Sequence, residues 1–143
     1  MPQLKTAKYI VTELQEPEEK KKIAASYAKF AKRILWLDEN VVPGAFHMNT
    51  AWYLKPNTVE VKAHRHETAE IIGFFGSNPD DPYDLGGEIE LWLEDDRHII
   101  TRTAMVFVPA GMKHCPLLLR RVDRPIFHFT TVTGGQYDKV LKL

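Results

Sequence analysis

Residues 64–70 read His64-Arg65-His66-Glu67-Thr68-Ala69-Glu70, and residues 109–114 read Pro109-Ala110-Gly111-Met112-Lys113-His114. On a strand, side chains two apart share a face, so His64 and His66 point the same way. A turn over 67–69 brings the Glu70 carboxylate back beside them. The Pro109-Ala110-Gly111 turn then delivers His114 at the head of a second strand. Three imidazoles and one carboxylate make a mixed nitrogen and oxygen donor set that suits Fe, Mn, Ni, Co, Cu or Zn. On an octahedral ion such a set leaves two positions open. In a chain of this composition, His-x-His-x3-Glu and Pro-x-Gly-x2-His are each expected by chance about 0.02 times. Their joint occurrence argues for a metal site over coincidence.

Outward from these segments the chain reads as β. Strands are predicted over 45–54, 59–66, 69–75, 88–93, 98–100, 104–108, 115–119 and 125–133. Asn78-Pro79-Asp80-Asp81-Pro82, Gly86-Gly87, Glu94-Asp95-Asp96 and Gly134-Gly135 punctuate them. Many short strands at regular spacing imply an all-β sandwich or barrel. No Gly-rich phosphate loop and no strand-helix alternation is present. One helix is predicted, over 17–34. Pro17 stands near its first position and Glu18 and Glu19 in its first turn. Ile23, Tyr27, Phe30 and Ile34 then recur at helical spacing. Residues 35–37 read as extended, and 9–13 as strand-like.

The two quoted segments resemble the motifs of the cupin family. His64, His66 and Glu70, followed by Gly76, match the first motif; Pro109, Gly111 and His114 match the second. The resemblance covers about residues 40 to 133. It implies an all-β double-stranded β-helix, the jelly-roll or cupin barrel, with an added N-terminal helix. His64, His66, Glu70 and His114 would then point into the wider mouth and bind one divalent transition metal. Thr58 and Thr103 stand where glycines often open the two motifs, and Leu118 where an asparagine often closes the second. Gly76 also comes one residue early. These are backbone and packing positions, so the ligand set survives, but the chain departs from well-patterned subfamilies such as the germins. The resemblance allows dioxygenase, decarboxylase, isomerase or lyase chemistry on a small molecule that chelates the metal through two oxygens. The alternative is a non-catalytic ligand-binding or sensing module. Residues 1–38 read as a strand and helix extension packed on the barrel, and 39–143 as the barrel domain.

Other candidates follow from alternation. His128, in Phe127-His128-Phe129, faces away from both rings. If it faces the pocket, it serves as a general acid or base with a near-neutral pKa. Tyr53 and His47 stand behind it as candidates, sharing a parity with Asn49. Cys115 directly follows a ligand and is expected on the opposite face, a buried inert thiol. Arg65 points away from the metal for the same reason. Trp52 and Trp92 are candidate pocket walls, and His98 is read as surface.

Composition sets the outer bounds. The 143 residues, 44% hydrophobic and 27% charged, suffice for one domain with a real core. Nineteen Lys+Arg balance nineteen Asp+Glu, which argues against a nucleic-acid partner, since no positive excess is available for phosphates. The longest apolar run, 104–112, is far shorter than the ~20 residues that span a bilayer, so no membrane partner is expected. The opening MPQLKTAKY has no apolar h-region, and a cytoplasmic protein is expected. One cysteine excludes an intrachain disulfide. Residues 77–98 carry eight acids and one base, and 110–143 six bases and two acids, read as two solvated faces. Exposed barrel edges lead us to expect a homodimer, with helix 17–34 shielding apolar barrel surface.

Overall fold

Strict alternation of buried and more exposed side chains builds the larger sheet. In β2 (His47–Tyr53) and β9 (Ile126–Val132) every second side chain is buried. The two strands pair antiparallel, His47 opposite Val132 and Tyr53 opposite Ile126. The computed structural model describes residues 4–57 and 61–134 and the backbone of 140–141. Its five-stranded sheet runs β1-β2-β9-β4-β7, where β1 is Ala31–Leu37, β4 Glu70–Gly76 and β7 Ala104–Val108. A three-stranded sheet is ordered β6 (Asp96–Arg102), β5 (Asp84–Leu93) and β8 (His114–Val122). The two sheets share one core: Leu85, Ile89, Leu91 and Leu119 of the smaller join Tyr53, Ile72, Phe74 and Ile126 of the larger. A short pair joins β3 (Arg65–His66) to β10 (Val140–Leu141), a strand that the sequence reading did not anticipate. The all-β, antiparallel architecture is the expected one. Of the strand expected over 59–66, residues 59 and 60 lie outside the described residues. The rest narrows to His64, which bridges His114, and to β3. Gly76 has a steric reason: a Cβ there would overlap the Asp84 carbonyl, where β4 closes against the start of β5.

The expected helix over 17–34 does not form. Two four-residue helices, α1 (Glu18–Lys21) and α2 (Ala24–Tyr27), take its place, neither with a side-chain cap. The chain is extended from Ala31. Such short helices gain little by themselves. A strand here gains a ladder with β2, from Ala31 opposite Tyr53 to Leu37 opposite Met48. The Phe30 carbonyl also accepts the Leu54 N–H at 2.8 Å. Tertiary pairing thus outweighs the helical pattern, and residues 31–37 of the N-terminal extension join the barrel's sheet. Register passes from Arg33↔Ala51 to Leu35↔Thr50, making Ile34 the extra residue of a bulge. Arg33 and Trp36, three residues apart, therefore both oppose inward-facing residues of β2. The strand-like reading of 9–13 also fails. A 3-10 turn spans Ala7–Tyr9, Tyr9 and Ile10 are exposed, and no strand pairs this stretch among the described residues.

The two charged segments meet; they do not form separate solvated faces. β5 and β8 are neighbours, which brings Arg120 within 2.8 Å of Glu90, joined there by Arg97 at 2.8 Å. Lys113 reaches Asp95 at 3.3 Å. The Arg120 hydrogen bond, then those from Trp92 and Arg97, hold the Glu90 carboxyl down at about 2. Among the described residues, no helix is long and apolar enough to cross a membrane.

Candidate metal centre

The two motif segments are tied to each other through their backbones. His64 N–H donates to the His114 carbonyl and His114 N–H to the His64 carbonyl, both at 3.0 Å, and Gly111 N–H donates to the His66 carbonyl at 2.9 Å. Gly111 adopts a φ of +81°, which turns the chain into His114. Glu70 opens β4 between Val108 and Val132. The result is convergence. Ring centroids lie 4.7 Å apart for His64–His66, 4.3 Å for His64–His114 and 5.2 Å for His66–His114. Donor atoms of His66, Glu70 and His114 all lie within 4.8 Å of one another, with Glu70 Oε1 3.1 Å from His114 Nε2. These three side chains are buried.

The hydrogen bonds set the tautomers. His64 Nδ1–H donates to the Lys62 carbonyl at 2.6 Å and His114 Nδ1–H to the Met112 carbonyl at 3.1 Å. A carbonyl only accepts, so each neutral ring keeps its lone pair on Nε2, the arrangement by which imidazoles hold metals. Glu70 Oε2 is buried with no hydrogen-bond partner among the described residues. A bare buried carboxylate oxygen is costly, and a divalent cation would satisfy it. The residues fit such an ion. Burial lowers the His64 pKa, against the Lys62 carbonyl and with help from His114. Burial also pushes His114 down, but the Glu70 hydrogen bond, the Met112 carbonyl and the Glu70 charge outweigh it, and its pKa is raised.

Cys115 is not on the opposite face. Its φ of +74° breaks the alternation, and its sulfur joins His64 and His114 in a second cluster within 4.8 Å. Burial and the Glu70 charge push its thiol up to about 12. It is therefore protonated at neutral pH, the weakly ligating form.

These groups line a cavity of about 330 Å³ that also takes in Tyr53, Asn49, His128 and Thr130 from β2 and β9. His128 donates from Nδ1–H to the Gly73 carbonyl at 3.1 Å, leaving Nε2 as an acceptor. Its ring stacks between Tyr53, 4.6 Å away at 15°, and Phe74, 5.3 Å away at 18°. The expected near-neutral pKa is corrected here. Burial, opposed by the Gly73 carbonyl and aided by Arg33, takes it to about 4. His47 is buried behind the cavity wall, accepting from Asn49 Nδ2 at 2.8 Å with its ring 4.7 Å from Trp36. Neither Trp52 nor Trp92 lines the cavity; Trp36 does. Arg65 stays outside the lining, and His98 is exposed as expected. Sequence reasoning missed Arg33 and Trp36 as lining residues. Their signal was masked, because the bulge at Ile34 places them on one face at a spacing that strict alternation forbids.

No protein-family model matches the chain, and no curated protein matches it. Solved structures do. A recombinant oxalate oxidase in complex with glycolate superposes with a TM-score of 0.56 at 12% identity, covering 94% of this chain and 63% of that one. The DMSP lyase DddQ from Ruegeria pomeroyi gives 0.53 at 17%, covering 91% and 60%. A cupin-2 domain protein from Rhodospirillum rubrum gives 0.51 at 12%, covering 79% and 65%. The chain thus spans under two thirds of the length of each. Antiparallel strand pairing, two sheets around one core and these likenesses agree: the chain has the fold of these cupin structures.

Proposed function

We propose that His64, His66, Glu70 and His114 hold one divalent transition metal, Fe, Mn, Ni, Co, Cu or Zn. The protein would act as a metalloenzyme on a small organic molecule that offers two chelating oxygens, such as a 2-hydroxy or 2-oxo acid. The observation that carries this is the buried Glu70 carboxylate, one oxygen without a donor among the described residues, set beside two imidazoles, His64 and His114, whose Nδ1–H groups are spent on backbone carbonyls. The oxalate oxidase of similar fold is in complex with glycolate, itself a 2-hydroxy acid. When bound, such a metal supplies Lewis acidity, or an O2-binding centre if it is iron. The chain supplies the rest. Ile72, Leu117 and Leu119 give the cavity apolar walls, and Ile23 and Tyr27 of the N-terminal extension line it from outside the barrel strands. His128 Nε2 accepts a proton or hydrogen bond from the bound molecule, with Tyr53 stacked on it as the second candidate. Elemental analysis of protein purified without chelators or added metal tests the reading. About one transition-metal ion per chain is expected. Iron would direct the search to oxygenase chemistry, and manganese to decarboxylase or isomerase chemistry. A metal-free protein that takes up none of these ions would overturn it. The low pKa of His128 favours one second reading, a module that binds and senses its ligand without transforming it.

We further propose a homodimer through the outer face of the five-stranded sheet. Ile71, Met105 and Phe107 are exposed there, on β4 and on the edge strand β7. An apolar patch on an unpaired edge is an association site. Light scattering at micromolar concentration is expected to give twice the chain mass, and a monomer would refute the dimer.

A further inference from the structure

The cavity holds a charged group that the metal reading leaves without a role. Arg33 lines it from β1, with its side chain only 11% exposed. Its Nε forms an ion pair with Glu16 Oε2 at 2.9 Å, and its Nη1 donates to Asn49 Oδ1 at 3.1 Å. The guanidinium lies over the Tyr27 ring at 4.5 Å and the Trp36 ring at 5.3 Å. Nη2 makes no hydrogen bond among the described residues. The guanidinium is thus fixed by four neighbours while one nitrogen remains available.

Its position matters as much as its bonding. The Ile34 bulge sets Arg33 opposite Ala51, which in turn pairs with His128. Ala51 stands between the two in register, and the Arg33 charge is felt at His128. Glu70 lies on β4, three strand positions from β1 in the same sheet, so Arg33 and the candidate ligands address one cavity from separate strands. An arginine held this way is suited to a carboxylate, which takes charge-assisted hydrogen bonds from its planar fork.

We propose that Arg33 is a specificity-determining residue that receives a carboxylate remote from the chelating oxygens, so that the cavity selects a dicarboxylic 2-hydroxy or 2-oxo acid. This rests on the metal-chelate reading above. Glu16 is a positioning residue here: it fixes the guanidinium and leaves Nη2 to the ligand. Ile72, Leu117 and Leu119 in the same lining suit the hydrocarbon segment of such an acid.

The test is calorimetric titration of the full-length, cobalt-loaded protein with lactate, malate and 2-hydroxyglutarate, followed also in the cobalt absorption spectrum. All three present the same 2-hydroxy carboxylate, and only the last two carry a remote carboxylate. At least one diacid is expected to bind about tenfold tighter than lactate or better, the size of one charge-assisted hydrogen bond. In Arg33→Met that preference should collapse, with lactate affinity and cobalt content unchanged. Arg33→Lys keeps the charge and the aliphatic stem, so it serves if the Met variant does not fold. It too should lose most of the preference, because it lacks the fork. Equal binding of lactate and both diacids by the wild type, or an unchanged preference in the folded variants, overturns the role of Arg33 and leaves the metal reading standing. Failure to bind cobalt, or a spectrum that none of the three acids perturbs, overturns the chelate reading itself.

Discussion

His114→Ala is expected to leave a protein that purifies with far less than one equivalent of metal and no longer responds to chelators. The expectation rests on position. His114 is buried, its Nε2 lies 3.1 Å from Glu70 Oε1, and its backbone is bridged to His64. Truncation removes one donor from the centre of the cluster while the backbone pairing that aligns the others survives. Losing one of the four proposed ligands should cost several kcal/mol of metal affinity. The consequence for stability follows by linkage: an ion present at about 1,000 times its Kd adds about 4 kcal/mol. For a domain of this size that is roughly 10 °C in melting temperature. Wild-type protein should therefore melt lower after chelation, and His114→Ala should melt at one temperature with or without chelator. Cys115→Ser is the control. Its thiol sits in the same neighbourhood but is held protonated, near 12, so this variant should keep its metal. If His114→Ala retains stoichiometric metal at an unchanged melting temperature, the ligand assignment is wrong.

The barrel and the ligand cluster were legible because both depend on local rules. Alternation in 47–53 and 126–132 fixes which side chains enter the core, and His64, His66, Glu70 and His114 sit where short turns must place them. The errors share a different cause. Residues 31–34 were read into the helix, yet they fold with the extended 35–37 as β1 because β2 offers them a partner, and no sequence window contains that partner. Cys115 was placed on the wrong face because alternation assumes an extended backbone, and φ there is +74°. Arg33 was passed over because the bulge at Ile34 shifts the face by one residue. The last two misses mark places where the backbone leaves its regular period, and both bring a polar side chain into the cavity.

His128→Gln is expected to leave metal content intact while lowering turnover by about 10²-fold or more, the usual contribution of a general acid or base. Gln keeps an N–H to donate to the Gly73 carbonyl but offers no basic lone pair where Nε2 stands. The pH behaviour separates this role from a merely structural one. Burial takes the His128 pKa to about 4, so the ring is neutral across the physiological range, and an activity that needs its lone pair should fall only near pH 4. The same shift bears on stability. Unfolded, the ring takes up its proton near 6.5; folded, it resists until about 4. Between these values the unfolded chain binds more protons, so the stability that His128 contributes is complete above pH 6.5. It is lost as pH falls towards 4, about 3 kcal/mol in all. Denaturant titrations at pH 7 and pH 4.5 should show that loss in the wild type and a smaller one in His128→Gln. His128→Phe, which keeps the stack between Tyr53 and Phe74, should likewise escape it and should also be inactive. Full turnover in His128→Gln, with the acid-dependent loss of stability abolished, would make the histidine a buried packing residue. Tyr53, stacked on it at 4.6 Å, would then be the remaining candidate for the proton-handling role.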